Sequence, residues 1–182
     1  MLSSPFYKLT KQKEKILTRA LIPLLIAVIV VLKYFDRFLI NEICKGGIIS
    51  FELSEDLETA KAYMESWGDI GRNAAGLSLG LDFLFPFLYS IFIALLIHKL
   101  NERLYKGKGF YKVGIFLIWL QFVAAIFDLI ENLGLIRLLL GDLDQFWVSI
   151  SYYFAVMKFL LILMGIIYVL LNFGVFLIKK QR

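Results

Sequence analysis

Apolar residues crowd four stretches of the chain, without the period-two alternation that strands of a membrane barrel show. The first, Ala20 to Leu32, extends back to Ile16 past Arg19 and forward through the mixed stretch Lys33 to Ile40. The second, Ala75 to Ile97, carries one charge, Asp82. The third is uncharged from Val113 to Phe127 and continues through Asp128, Glu131 and Asn132 to about Ile136. The fourth, Phe146 to Ile178, contains a single charge, Lys158. About 20 apolar residues cross a hydrocarbon core of roughly 30 Å, so each run can span a membrane as a helix. The pattern predicts one all-α domain over residues 1–182, a polytopic four-transmembrane-helix bundle with spans near 16–40, 75–98, 113–136 and 146–178.

Between the first two spans lies a loop of residues 41–74 with a helix signal of its own. Ser54 is placed to cap a helix over about 55–67, whose first turn is acidic (Glu55, Asp56, Glu58) and whose Leu57, Ala60, Met64 and Trp67 recur at three- and four-residue steps. Gly68 and Gly71 are expected to end it. Such an amphipathic helix can lie on a membrane surface, cover the mouth of the bundle, or serve as a connector packed upon it. The first run also resembles a signal peptide, because Lys8, Lys11, Lys13, Lys15 and Arg19 precede a short apolar core. Its exit, Lys33-Tyr34-Phe35-Asp36-Arg37, offers no small-residue cleavage pattern, and the span is expected to be retained. Asn41-Glu42-Ile43 before Cys44 likewise lacks the small residues of a lipoprotein processing site.

Composition narrows the functional classes. With 60% hydrophobic and 19% charged residues the chain is no soluble globule, for which about 25% charged is usual. One cysteine, Cys44, leaves no intrachain disulfide, and one histidine, His98, leaves no multi-histidine metal site. No Walker loop, nucleophile elbow, HExxH or paired CxxC is present, so neither a cofactor nor a metal is expected.

The net charge of +5 acquires meaning from its distribution. The amino-terminal segment has five bases and one acid, the connection 99–112 has the same balance, and the tail has Lys179, Lys180 and Arg182 with no acid. The connection Lys33 to Arg72 instead holds five bases against eight acids, and the short one after the third span sets Arg137 against Asp142 and Asp144. Because Lys and Arg are retained on the cytoplasmic side, both termini are expected inside the cytoplasmic (inner) membrane and the two acidic connections outside. The basic face then suits anionic headgroups, at about 1 kcal/mol per nearby base. Nucleic acid is not needed to explain it. Within 99–112, Tyr105, Phe110 and Tyr111 among the bases suggest an interfacial headgroup contact. His98 beside Lys99 is expected to be a solvated flanking residue, Trp119 a packing residue and Trp147 an outer-interface anchor.

Four ionisable residues are left inside the apolar runs. A charge at mid-membrane costs roughly 2.5–3.5 kcal/mol on insertion scales. The fourteen Leu, Ile and Phe residues of the second run, at about −0.3 to −0.6 kcal/mol each, can carry Asp82 across. Asp82 is seven residues from the outer end of its run, about 10 Å deep at 1.5 Å per residue. Asp128, Glu131 and Lys158 fall at a comparable depth. Asp82, Pro86 and Tyr89 share a helix face, as do Gln121, Ala125, Asp128, Glu131 and Asn132, while Ser151, Lys158, Gly165 and Asn172 recur every seven residues. A polar stripe on an apolar span normally faces protein, since lipid offers it no partner. Pro86 is expected to kink the second span.

Residues Phe51-Glu52-Leu53, the Ala60 to Gly68 helix, Leu81-Asp82-Phe83-Leu84-Phe85-Pro86 with Tyr89, and Asp128-Leu129-Ile130-Glu131-Asn132 together resemble an uncharacterised group of small bacterial four-span membrane proteins. That resemblance covers about residues 50–135 and implies no activity. At the level of topology, four helices with a long outer loop and an acid before a proline in the second span are similar to the sterol-isomerase and sigma-2-receptor superfamily, which implies an amphiphilic ligand.

Three readings of the buried layer follow. Asp82, Tyr89, Asp128, Glu131, Asn132 and Lys158 form an outer-leaflet pocket for a lipid or other amphiphile; if it is catalytic, Asp82 or Glu131 is the acid or base and Lys158 stabilises an anion. Alternatively, the layer fixes helix packing in an accessory or scaffolding subunit that contacts another membrane protein or a second copy. The third reading, proton-coupled transport, lacks a polar path toward the cytoplasm below Tyr89 and Ser90 in the second span.

Overall fold

The computed structural model describes residues 3–181, with side chains described as far as Lys179, so Arg182 and the side chain of Lys180 in the expected basic tail lie outside the described residues. All regular structure among them is helical: α1 (Lys11–Asp36), α2 (Ile48–Glu52), α3 (Leu57–Asp82), α4 (Phe85–Leu104), α5 (Tyr111–Leu139) and α6 (Gln145–Gln181). By length and apolarity α1, α5 and α6 are each able to cross a membrane, and α3 with α4 makes a fourth candidate, bent by 42° where the two meet.

The second apolar run is therefore a broken element. Pro86 has no N–H to give the Asp82 carbonyl, its partner four residues back, and it is tolerated only in the first turn of a new helix. The chain accordingly stops at Asp82 and restarts at Phe85 with proline in that first turn. The loop helix ends where expected: Gly68, at φ 58° and ψ −165°, is non-helical, so α3 is two helical segments that meet there at a kink. Gly71 does not end a helix, and the second segment runs through it to Asp82. The cap of the loop helix also differs: Asp56, not Ser54, accepts the Thr59 N–H at 2.8 Å, which holds the Asp56 carboxyl below its ordinary range. The Ser54 hydroxyl instead donates to the Ser50 carbonyl.

Residues 37–67 form a packed cap on one end of the bundle, here called the acidic end after its loops. Trp67 donates its indole N–H to the Leu39 carbonyl at 2.9 Å and meets Phe51 edge to face. Leu39, Cys44, Phe51, Ala60 and Met64 close around them and join Leu135, Leu138 and Val148 of α5 and α6. The apolar side of the loop helix is thus turned into protein. Burial pushes the Cys44 thiol up, away from thiolate reactivity. Asp36, at the end of α1, accepts the Ile48 N–H at 2.9 Å and so seats α2. Gly47 is required there, because a Cβ would run into the Asp36 carboxylate.

α5 and α6 pack along their length, and α4 lies against both. The seven-residue stripe of α6 does face protein: Ser151, Lys158, Gly165 and Asn172 are all buried. Gly165 makes room for the Gln121 side chain, whose amide donates to the Leu161 carbonyl. α1 is the outlying member. It packs on α3 and α4 through a narrow stripe, Leu21, Leu25 and Val28, and leaves Ile22, Leu24, Ile26, Ile29 and Val30 exposed.

At the opposite, basic end two expectations change. His98 is buried, with Nδ1 2.9 Å from the Ser4 hydroxyl and Nε2 3.6 Å from Glu14, because residues 3–9 hook back under the bundle. The aromatics of the connection are tied into protein: the Tyr105 hydroxyl donates to Asn172, Tyr111 to Glu102, and Phe110 stacks on Tyr168. Trp119 donates to the Ser3 carbonyl and Trp147 to Asp142.

Candidate functional site

Lys158 lies near the middle of α6, on the stripe that packs against α5. Its ammonium is 3.0 Å from Asp128 and 2.8 Å from Glu131, which are one turn apart on the facing helix. A third carboxylate, Glu52, reaches it at 3.4 Å from α2. All four side chains are nearly sealed from solvent. One ammonium thus ties three elements together, in the geometry that makes charge-assisted hydrogen bonds strong.

Asp82 is adjacent but not on the lysine. As the last residue of α3, beside the break, it accepts the Asn132 amide at 2.8 Å through Oδ2, and no hydrogen bond to its Oδ1 is found among the described residues. Tyr89, one turn into α4, is 6% exposed, and its hydroxyl has no hydrogen-bond partner among the described residues. Asn132 Oδ1 is similarly unpartnered.

These groups surround a cavity of about 210 Å³. Glu52, Asp82, Tyr89, Asp128 and Lys158 give it a polar floor, and Ile29 and Leu32 of α1, Ile49 of α2, Leu79 and Phe85, and Phe159 and Ile162 of α6 give it apolar walls. The volume corresponds to about seven waters at roughly 30 Å³ each and falls below the 300–1,000 Å³ of drug-sized pockets. It therefore fits a headgroup or part of a chain better than an entire ligand. Ile29, Ile49 and Phe159 at its rim are 44%, 43% and 38% exposed, so the cavity opens sideways, between α1 and α6 beneath the α2 edge of the cap. The slot exists because α1 rests on α3 and α4 instead of on α6.

Of the six residues expected to form the pocket, Asp82, Tyr89, Asp128 and Lys158 line the cavity, whereas Glu131 and Asn132 stand behind it, each bonded to a lining residue. Glu52 is absent from the expected set. Its sequence signals are its place in the Phe51-Glu52-Leu53 motif and its apolar setting after Ile48 and Ile49, which a solvated loop would not provide.

Comparison with family models, with curated proteins and with solved structures finds no match. Chemical function therefore has to be read from the side chains. Among the described residues no group of His, Cys, Asp and Glu has the geometry to hold a metal ion. The carboxylates here converge on an ammonium, which occupies the position a cation would take.

Proposed function

We propose that the protein is an integral membrane protein of the cytoplasmic membrane that binds a lipid or other amphiphile in a pocket of the outer leaflet. Four spans are taken as α1, the lower half of α3 with α4, α5 and α6. The acidic loop cap lies outside and both termini lie inside, as the Lys and Arg distribution directs. Supporting the insertion is the surface itself: α1 and α6 expose Ile, Leu, Val and Phe along most of their length, which lipid accommodates and water does not.

The observation that carries the pocket reading is the sideways slot, polar at its floor and apolar at its rim. Such a site matches both parts of the ligand at once. Lipids extracted from the purified protein and identified by mass spectrometry test it. A single amphiphile class retained in stoichiometric amount, and lost on Asp82→Asn substitution, is expected. Retention of the bulk lipid mixture, unchanged in the variant, would count against the pocket. A reporter joined after Arg182 should report a cytoplasmic location, and an external one would reverse the orientation.

One observation favours a second reading, in which the layer is structural. Every carboxylate paired with Lys158 comes from an element other than its own, so the cluster also fixes α6 against α5 and the cap. In that case Asp82→Asn changes thermal stability and leaves lipid retention as it was.

A further inference from the structure

The basic end holds a second charged group, remote from the outer pocket. Lys99, half-buried near the end of α4, donates one hydrogen bond, to the Thr18 hydroxyl of α1 at 3.1 Å, while that hydroxyl donates to the Glu14 carbonyl. An ammonium has three donors, so two of those on Lys99 are left without a partner among the described residues. Lys15 on α1 and Arg103, one turn further along α4, stand close enough to repel Lys99, and Glu14 is close enough to attract it. None of the three bases forms an ion pair among the described residues. The neighbouring acids point elsewhere: Glu14 lies 3.6 Å from His98 Nε2, and Glu102 pairs with Lys106 at 3.0 Å. Arg103 is kept on the α6 side by the Phe176 ring, whose centroid is 5.2 Å from its guanidinium. Three bases against one acid make a positive field at a helix junction, where an anion relieves the repulsion and takes up the unused donors.

The geometry points to a phosphate site: an anionic phospholipid of the cytoplasmic leaflet, with its headgroup phosphate seated among Lys15, Lys99 and Arg103 and an acyl chain laid along α1 and α4. This rests on the membrane insertion and orientation proposed above and is independent of the outer pocket. Apolar side chains continue from the bases toward the middle of the bundle. Ile22 and Ile26 follow Thr18 by one and two turns on α1 and are 43% and 57% exposed, while Leu96 and Phe92 precede Lys99 by one and two turns on α4 and are half-buried. A free anion has no use for such a strip, whereas an acyl chain fills it. The planar fork of Arg103 and the point charges of the two lysines both suit phosphate oxygens. A phosphatidylcholine headgroup carries a cation beside its phosphate, which three bases repel, and a phosphatidylglycerol headgroup carries none.

Dioleoyl phosphatidylglycerol, dioleoyl phosphatidylcholine and inorganic phosphate, each titrated against the full chain in a maltoside detergent at fixed ionic strength and read by thermal shift, test the site. Phosphatidylglycerol is expected to stabilise saturably and to bind about tenfold or more tightly than phosphatidylcholine, as a few bases at a membrane surface supply. Lys99→Gln combined with Arg103→Gln should remove that preference. Lys108→Gln combined with Lys112→Gln takes the same charge from exposed positions at the same end and should leave the preference intact. Lys15→Gln, also exposed, should weaken the preference in part and carries the test if the first double variant does not fold. Equal losses in the two double variants would overturn the site in favour of a diffuse basic surface. A wild-type protein that does not distinguish the two lipids overturns the anionic headgroup, and inorganic phosphate that stabilises as strongly as phosphatidylglycerol overturns the lipid as its carrier. Binding in micelles does not depend on orientation, so each of these failures leaves the topology standing, whereas an external reporter after Arg182 would overturn the leaflet alone.

Discussion

Replacement of Lys158 by methionine is expected to destabilise the protein by about 3–5 kcal/mol, the cost of leaving buried charges without their partner. Three carboxylates converge on this ammonium, and no other base among the described residues pairs with them. Thermal unfolding in detergent measures the loss, and a second variant identifies its origin. When Glu52→Gln, Asp128→Asn and Glu131→Gln are combined with Lys158→Met, every group becomes neutral at nearly constant volume. Most of the stability should then return, because a neutral layer of similar shape often matches a buried ion cluster. A Lys158→Met protein that melts at the wild-type temperature would show that the three acids are already compensated without the lysine.

Trp67→Ala is expected to cost a similar amount, about 3–5 kcal/mol for removing a buried aromatic, but to act in a different place. The indole packs on Phe51 and bonds to the Leu39 carbonyl, so it holds both ends of the segment that delivers Glu52 to Lys158. Amide exchange should accelerate across residues 37–56 while the parts of α5 and α6 away from the cap stay protected, since Ile115, Leu117, Ile118 and Tyr168 pack with α4 in a cluster that does not include Trp67. Unchanged exchange over residues 48–52 would show that α2 is held by Asp36 and Lys158 alone.

The four charges inside the spans are conspicuous in the sequence because an ionisable residue among leucines and phenylalanines stands out, and helical spacing places each on a face. Glu52 is not conspicuous. It is one of eight acids between Lys33 and Arg72, and nothing periodic tells a five-residue helix that folds inward from a solvated turn. Periodicity is a local property, whereas the contact from Glu52 to Lys158 joins residues more than a hundred positions apart. His98 escapes the sequence for the same reason: its basic neighbours suggest water, and its partner Ser4 is 94 residues away. Pro86 signals a disturbance in the second span without fixing its form, because proline both kinks a helix and begins one. The break takes the second form, which sets Asp82 free at a helix end instead of in a continuous helix wall. The sideways slot depends on where α1 rests, and no sequence pattern records that choice.

The lysine of the charge cluster also has a place in time. In the proposed topology Lys158 belongs to a span that leaves the ribosome after those of the acids, and Asp128 and Glu131 precede it by 30 and 27 residues. At about 5–20 residues per second, those acids wait a few seconds for their counterion, and Glu52 and Asp82 wait longer. Throughout that interval the nascent chain cannot complete its polar layer. A chain terminated before residue 158 would carry the acids of the layer without the ammonium on which three of them converge.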